Sequence, residues 1–105
     1  MKHIAIDAIG YDEKLYPRLG GVNWRTVERY RDAMKSGAKF PPVVVAKIRG
    51  VRGPVVLIDG WHRIQAAQAL KQKTILAIVL KPLTIDEAYA EAVQRNTEHG
   101  QPLSF

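Results

Sequence analysis

The stretch Val55-Val-Leu-Ile-Asp-Gly-Trp-His-Arg63 decides how the chain is read. Four apolar residues form a buried strand, Gly60 supplies a tight turn, and a helix comes next with Ile64, Ala67 and Leu70 directed at the core. Asp59 is expected to cap that helix, which runs to about Lys71. A helix start presents backbone N–H groups with no upstream carbonyl of their own helix, at the positive end of its dipole. It therefore favours an anion, above all a phosphate. Gly60 lets the backbone approach such a group closely. His62 and Arg63 add side-chain donors in the same turn, and arginine can grip phosphate oxygens bidentately. Asp59 also offers a carboxylate to a ribose hydroxyl or a metal. A plain reading stands beside this one: a turn with an ordinary cap and a solvated His-Arg pair. Trp61 reads as packing rather than as a platform for a base.

Upstream, His3–Ile9 alternates apolar and polar positions and predicts a first strand. Pro17 and Gly20-Gly21 break the chain between there and Asn23, which can cap a helix through about Ser36 with Val27, Tyr30 and Met34 on one face. Pro41-Pro42 precede a continuous apolar strand, Val43–Ile48, and Arg49–Pro54 predicts a hairpin tip before the second buried strand. Thr74–Leu80 is a third apolar run. Thr84-Ile-Asp-Glu87 is a capping box opening a helix to about Asn96, with Ile85, Ala88, Ala92 and Val93 inward. Strands and helices mix without strict alternation, which predicts a small α/β or α+β sandwich on a mixed sheet.

The chain has 105 residues, 47% of them hydrophobic and 25% charged, the composition of one globular domain rather than of a disordered chain. It contains no cysteine. That excludes a disulfide scaffold, a cysteine nucleophile and a thiolate zinc site. His3, His62 and His99 lack the spacing of a metal site. No apolar run of membrane-spanning length occurs, so a cytoplasmic protein without membrane contact is expected. Net charge is +6. Ten basic residues against Glu28 and Asp32 lie between Lys14 and Arg52, a bias that suits an anionic partner. Within it, Arg25 and Arg29 on the first helix and Arg49 and Arg52 on the hairpin tip are candidate DNA contacts. A solvated basic surface is the alternative. Tyr11, Tyr16 and Trp24 near that face are read as closing the core rather than stacking on bases.

These features together resemble the N-terminal domain of the ParB/sulfiredoxin superfamily, in its phage- and plasmid-type ParB-like form. Leu15-Tyr-Pro-Arg18 is similar to the family's first box. Gly37-Ala-Lys-Phe-Pro-Pro-Val-Val-Val45 is similar to its approach to the sheet, and Asp59-Gly-Trp-His-Arg63 to its phosphate-binding turn. Arg95-Asn-Thr-Glu-His99 resembles the third box more weakly, with Arg95 and His99 where Glu and Arg are usual. The resemblance implies an α+β fold, a small mixed sheet flanked by about three helices. It also implies a CTP or ATP site at Asp59, Gly60, Trp61, His62 and Arg63, with Arg18, Asn96 and His99 near it, Mg²⁺ arriving with the nucleotide and touching Asn96, and His62 as the catalytic candidate. Asn96 otherwise reads as a helix C-cap.

Sulfiredoxin chemistry is excluded, because Trp61 stands where that branch has its catalytic cysteine. The implied role is nucleotide binding in DNA-associated partitioning, regulation or mobile-element biology. Two alternatives stay open. One is an enzyme, either a nucleotide-dependent small-molecule kinase of the serine-kinase type, with Glu13 or Glu28 as base, or a ParB-like nuclease. No carboxylate cluster suited to two-metal cleavage supports the nuclease. The other is a non-specific DNA-binding module with a vestigial nucleotide site. A homodimer is compatible with each. The run from Gly100 to Phe105 reads as leading into a further helical segment, so the chain is expected to be one domain cut short.

Overall fold

A computed structural model describes residues 1–12, 15 and 24–98, with side chains through residue 95. Its elements are β1 (Lys2–Ala5), a 3-10 helix (Ile6–Ala8), α1 (Trp24–Lys35), β2 (Val43–Ala46), β3 (Val56–Asp59), α2 (Trp61–Ala69), β4 (Thr74–Val79) and α3 (Ile85–Glu98). The four strands form one mixed sheet in the order β1-β4-β2-β3. β1 runs antiparallel to β4, β4 parallel to β2, and β2 antiparallel to β3.

The unbroken apolar run of β2 has a direct cause: the strand is central and covered on both faces. Val43 and Val45 point into one hydrophobic cluster with Leu57, Ala77 and, from α2, Ile64 and Ala67. Val44 and Ala46 point into a second cluster with Ile58 and, from α3, Ala88 and Ala92. Strand pleating thus divides one sequence run between two cores. α1 lies outside this sandwich and packs on α2.

Several boundaries differ from those expected. The first strand ends at Ala5 rather than Ile9. The Ile6 N–H donates to the Lys73 carbonyl at 2.9 Å, and the chain then turns through the 3-10 helix, which sends both Ile6 and Ile9 into the first cluster. Gly10 then bridges the free edge of β3, its N–H donating to Val55 O at 2.8 Å and its carbonyl accepting from the Leu57 N–H at 2.9 Å. Five residues therefore carry the chain from one edge of the sheet to the other. Ile48, expected within β2, lies beyond the strand in a bridge to Leu83. Val93, expected inward, is 48% exposed, because Ala88 and Ala92 already fill the seam beneath α3. The Thr84–Glu87 capping box forms as expected: the Thr84 N–H donates to Glu87 Oε1 at 2.8 Å, and the Glu87 N–H to Thr84 Oγ1 at 3.1 Å.

Candidate functional site

β3 and α2 meet at Asp59–Gly60–Trp61, and the meeting is tightly built. Val44 pairs with Asp59 and Val45 with Leu57, so β3 carries one extra residue, Ile58, just before the turn. Such a bulge bends a strand and re-aims the residues beyond it. Gly60 then adopts φ +119, in the left-handed region, and occupies the N-cap position of α2. Asp59 was the expected cap. It is instead the last residue of β3, and α2 has no side-chain cap. A Cβ on Gly60 would stand 2.5 Å from Val43 Cγ1 and 2.9 Å from Val43 Cβ. Glycine is therefore required both by conformation and by space.

Arg63 was expected to face an incoming phosphate. The structure turns its guanidinium inward. Nη1 donates to the carbonyls of Pro41 at 2.8 Å and Pro42 at 3.0 Å, and Nη2 pairs with Asp59 Oδ2 at 3.1 Å. Both side chains are close to nine-tenths buried. A planar guanidinium suits this arrangement because its donors fan out in a fixed fork. The consequence is a latch: Pro41-Pro42 at the head of β2, the end of β3 and the first turn of α2 are tied at one point. The Pro-Pro-Val and Asp-Gly-x-His-Arg segments, separate in sequence, thus form one structural unit. Neither the two proline carbonyls nor the Val43 contact was foreseen from the sequence. The Pro-Pro pair ahead of an apolar strand was the available signal.

The helical ladder of α2 starts with the Ile64 N–H on the Gly60 carbonyl at 2.9 Å, so the amides of the turn lie ahead of it. His62 sits in this turn, half-buried, and burial pushes its imidazole below the ordinary histidine value. It is therefore largely neutral at pH 7. Trp61 packs on the first core cluster and meets Tyr11 edge to face, with ring centroids 5.0 Å apart. Burial and the nearby Asp7 carboxylate together raise the Tyr11 phenol above its usual range. Trp24, expected in the core, is 54% exposed at the start of α1.

The remaining candidates are dispersed. Arg18, His99, Tyr16 and Glu13 lie outside the described residues, as does Asn23 as a cap. Asn96 lies inside α3, which runs on to Glu98, so it is not a C-cap; its side chain is outside the described set. Arg95 pairs with Glu91 at 3.3 Å on the same helix. Arg25, Glu28 and Arg29 are exposed on α1, and Arg49 and Arg52 are exposed on the β2–β3 hairpin. His3 lies on β1, at the edge of the sheet opposite β3. Among the described residues, no three His, Cys, Asp or Glu side chains are grouped to hold a metal, and no helix is long and apolar enough to cross a membrane.

Among the described residues, a four-stranded mixed sheet with three α-helices, and a glycine-led helix start at the end of the edge strand β3, define an α+β domain of the ParB/sulfiredoxin fold. The sequence model of the ParB N-terminal domain matches residues 2–97, and the chain belongs to that family. A "Streptomycin biosynthesis operon possible regulatory protein" of Streptomyces griseus is 34% identical over 89 residues, which cover 85% of this chain but 23% of that one. The chain thus spans about a quarter of that curated relative. Among solved structures, the chromosome-partitioning protein ParB of Caulobacter crescentus complexed with CTP-gamma-S aligns with a TM-score of 0.77 at 16% identity, covering 92% of this chain and 52% of that one. The same ParB has also been solved complexed to its centromeric parS site, aligning at 0.71. Sulfiredoxin of Arabidopsis thaliana aligns at 0.66 with 17% identity, covering 88% of this chain and 94% of that one.

Proposed function

We propose that this domain binds the phosphates of a nucleoside triphosphate at the start of α2 and serves as a nucleotide-responsive module in DNA-associated regulation. The observation that carries the reading is the strand–glycine–helix junction, where the left-handed Gly60 fits against Val43 and sets the first turn of α2. Backbone N–H groups there, at the positive end of the helix, meet the phosphate oxygens. His62, in the same turn, donates to a phosphate and is stabilised as imidazolium when the anion is bound. Arg63 acts as a positioning residue: its hydrogen bonds to Pro41 and Pro42 and its pairing with Asp59 hold the turn in shape. Mg²⁺ would arrive with the nucleotide, since it keeps waters and needs few protein ligands. The CTP-gamma-S complex of the structurally similar ParB supports the ligand class. The possible regulatory role of the Streptomyces relative, and the parS complex of ParB, support the setting.

Isothermal titration of the chain with Mg²⁺-CTP and Mg²⁺-ATP tests this. Saturable heat with at least one of them, weakened in His62→Gln, is expected. Absence of heat with both contradicts it.

A further inference from the structure

The turn between β2 and β3 carries charge that the α2 site does not use. From Lys47 to Gly53 the chain reads Lys-Ile-Arg-Gly-Val-Arg-Gly, with three cations and no acid. Ile48 is buried and anchors the base, where the Arg49 N–H donates to Leu83 O at 2.8 Å and the Leu83 N–H donates to Lys47 O at 2.9 Å. Beyond that anchor every residue from Arg49 to Gly53 is exposed. Val51 stands near the apex at 64% exposure, flanked by Arg49 and Arg52. The segment paired with the base adds the exposed Lys81, two residues before Leu83. Among the described residues, none of Lys47, Arg49, Arg52 and Lys81 has an ion-pair partner within 4.0 Å. Glu87, whose carboxyl feels Arg49 weakly, already accepts from the Thr84 N–H. α1 differs. Its cations are interspersed with Glu28 and Asp32, Arg31 pairs with Asp32 at 3.3 Å, and Arg25 already has a partner.

We propose that the β2–β3 hairpin tip is a duplex-DNA contact, with Arg49 and Arg52 on phosphates either side of a groove, Val51 directed into it, and Lys47 and Lys81 supporting from the base. The inference rests on the DNA-associated part of the proposed function and is independent of the nucleotide site. The tip is an irregular turn between Ala46 and Val56; the wide major groove of B-form DNA has room for such a protruding turn, whereas the deep, narrow major groove of A-form RNA excludes it. Cations with no carboxylate partner release counterions when they meet phosphate, so the contact has a measurable salt signature.

Fluorescence anisotropy with a mixed-sequence DNA duplex, at several salt concentrations, tests it on the full chain. The probe variants are Arg49→Gln/Arg52→Gln and, for comparison, Arg25→Gln/Arg29→Gln. The hairpin variant should flatten the slope of log affinity against log salt by about 1.8, two phosphate contacts at ~0.9 each, and weaken binding on the order of tenfold or more near ~0.1 M salt. The α1 variant should change both far less, and the hairpin variant should keep its heat of nucleotide titration. Equal loss in the two variants, or tighter binding to duplex RNA than to DNA, overturns the assignment while leaving the regulatory reading intact. No DNA binding by the parent chain at low salt overturns both the assignment and the DNA-associated part of that reading, and the nucleotide titration is then judged on its own.

Discussion

Gly60 and Val43 are in contact to the exclusion of any side chain: the Cβ that Gly60 lacks would lie 2.5 Å from Val43 Cγ1. Val43 is fully buried in the central strand and has nowhere to retreat. The start of α2 is therefore located by packing as well as by backbone conformation.

Gly60→Ala should accordingly destabilise the domain by roughly 2 kcal/mol or more, combining a left-handed backbone strain with a clash inside a packed core. Urea denaturation measures this. An alanine variant as stable as the parent would show that the junction is loose.

Replacing Arg63 takes from two proline carbonyls their side-chain donor and from the Asp59 carboxylate its paired guanidinium. Arg63→Ala should cost about 3 kcal/mol, the usual penalty for breaking a buried ion pair from one side. Arg63→Lys should recover only part of it, since an ammonium cannot span three acceptors as a guanidinium does. Thermal unfolding without nucleotide discriminates the roles: a residue used only to grip phosphate would leave the melting temperature unchanged.

His62 links stability and binding to pH. Its imidazole is held below the ordinary 6.5 by burial. Between that depressed value and 6.5 the unfolded chain binds more protons than the folded one, so stability falls as pH falls through this window. Bound phosphate acts in the opposite sense by favouring imidazolium, so affinity should rise as pH drops from about 7.5 towards 6, relative to His62→Gln. Parallel pH series of melting and of titration on the two proteins check both signs. A histidine variant with the parent's pH dependence would remove His62 from the site.

Thr84→Ala removes the hydroxyl that accepts from the Glu87 N–H and should cost about 1 kcal/mol, the typical value of a helix cap. The Glu87 carboxyl is lowered chiefly by its hydrogen bonds with Thr84. Its contribution is therefore present above the ordinary glutamate value and lost as pH falls through the depressed one. Acid unfolding should begin at higher pH in the alanine variant.

Much of this was legible in the chain itself. The continuous apolar run Val43–Ile48 announced β2, though two residues too long, the Thr84–Glu87 box announced α3, and the Asp-Gly turn announced the strand–helix junction. What stayed hidden depended on tertiary neighbours. Alternation through His3–Ile9 could not reveal that the chain leaves the sheet in a 3-10 turn at Ile6, closed by the Ile9 N–H on the Ile6 carbonyl at 3.1 Å. Nor could spacing reveal which way Arg63 points. An arginine in a first turn has the same local sequence whether it faces solvent or two carbonyls contributed by residues 21 and 22 positions upstream.

The most direct test is a ¹⁵N-labelled titration of the chain with Mg²⁺-CTP and Mg²⁺-ATP, monitoring every amide. Saturable shifts are expected, largest at Gly60, Trp61, His62 and Arg63, with small changes on α1 and on the hairpin tip. Saturable shifts centred elsewhere, or no shifts with either nucleotide, would contradict the proposed nucleotide site.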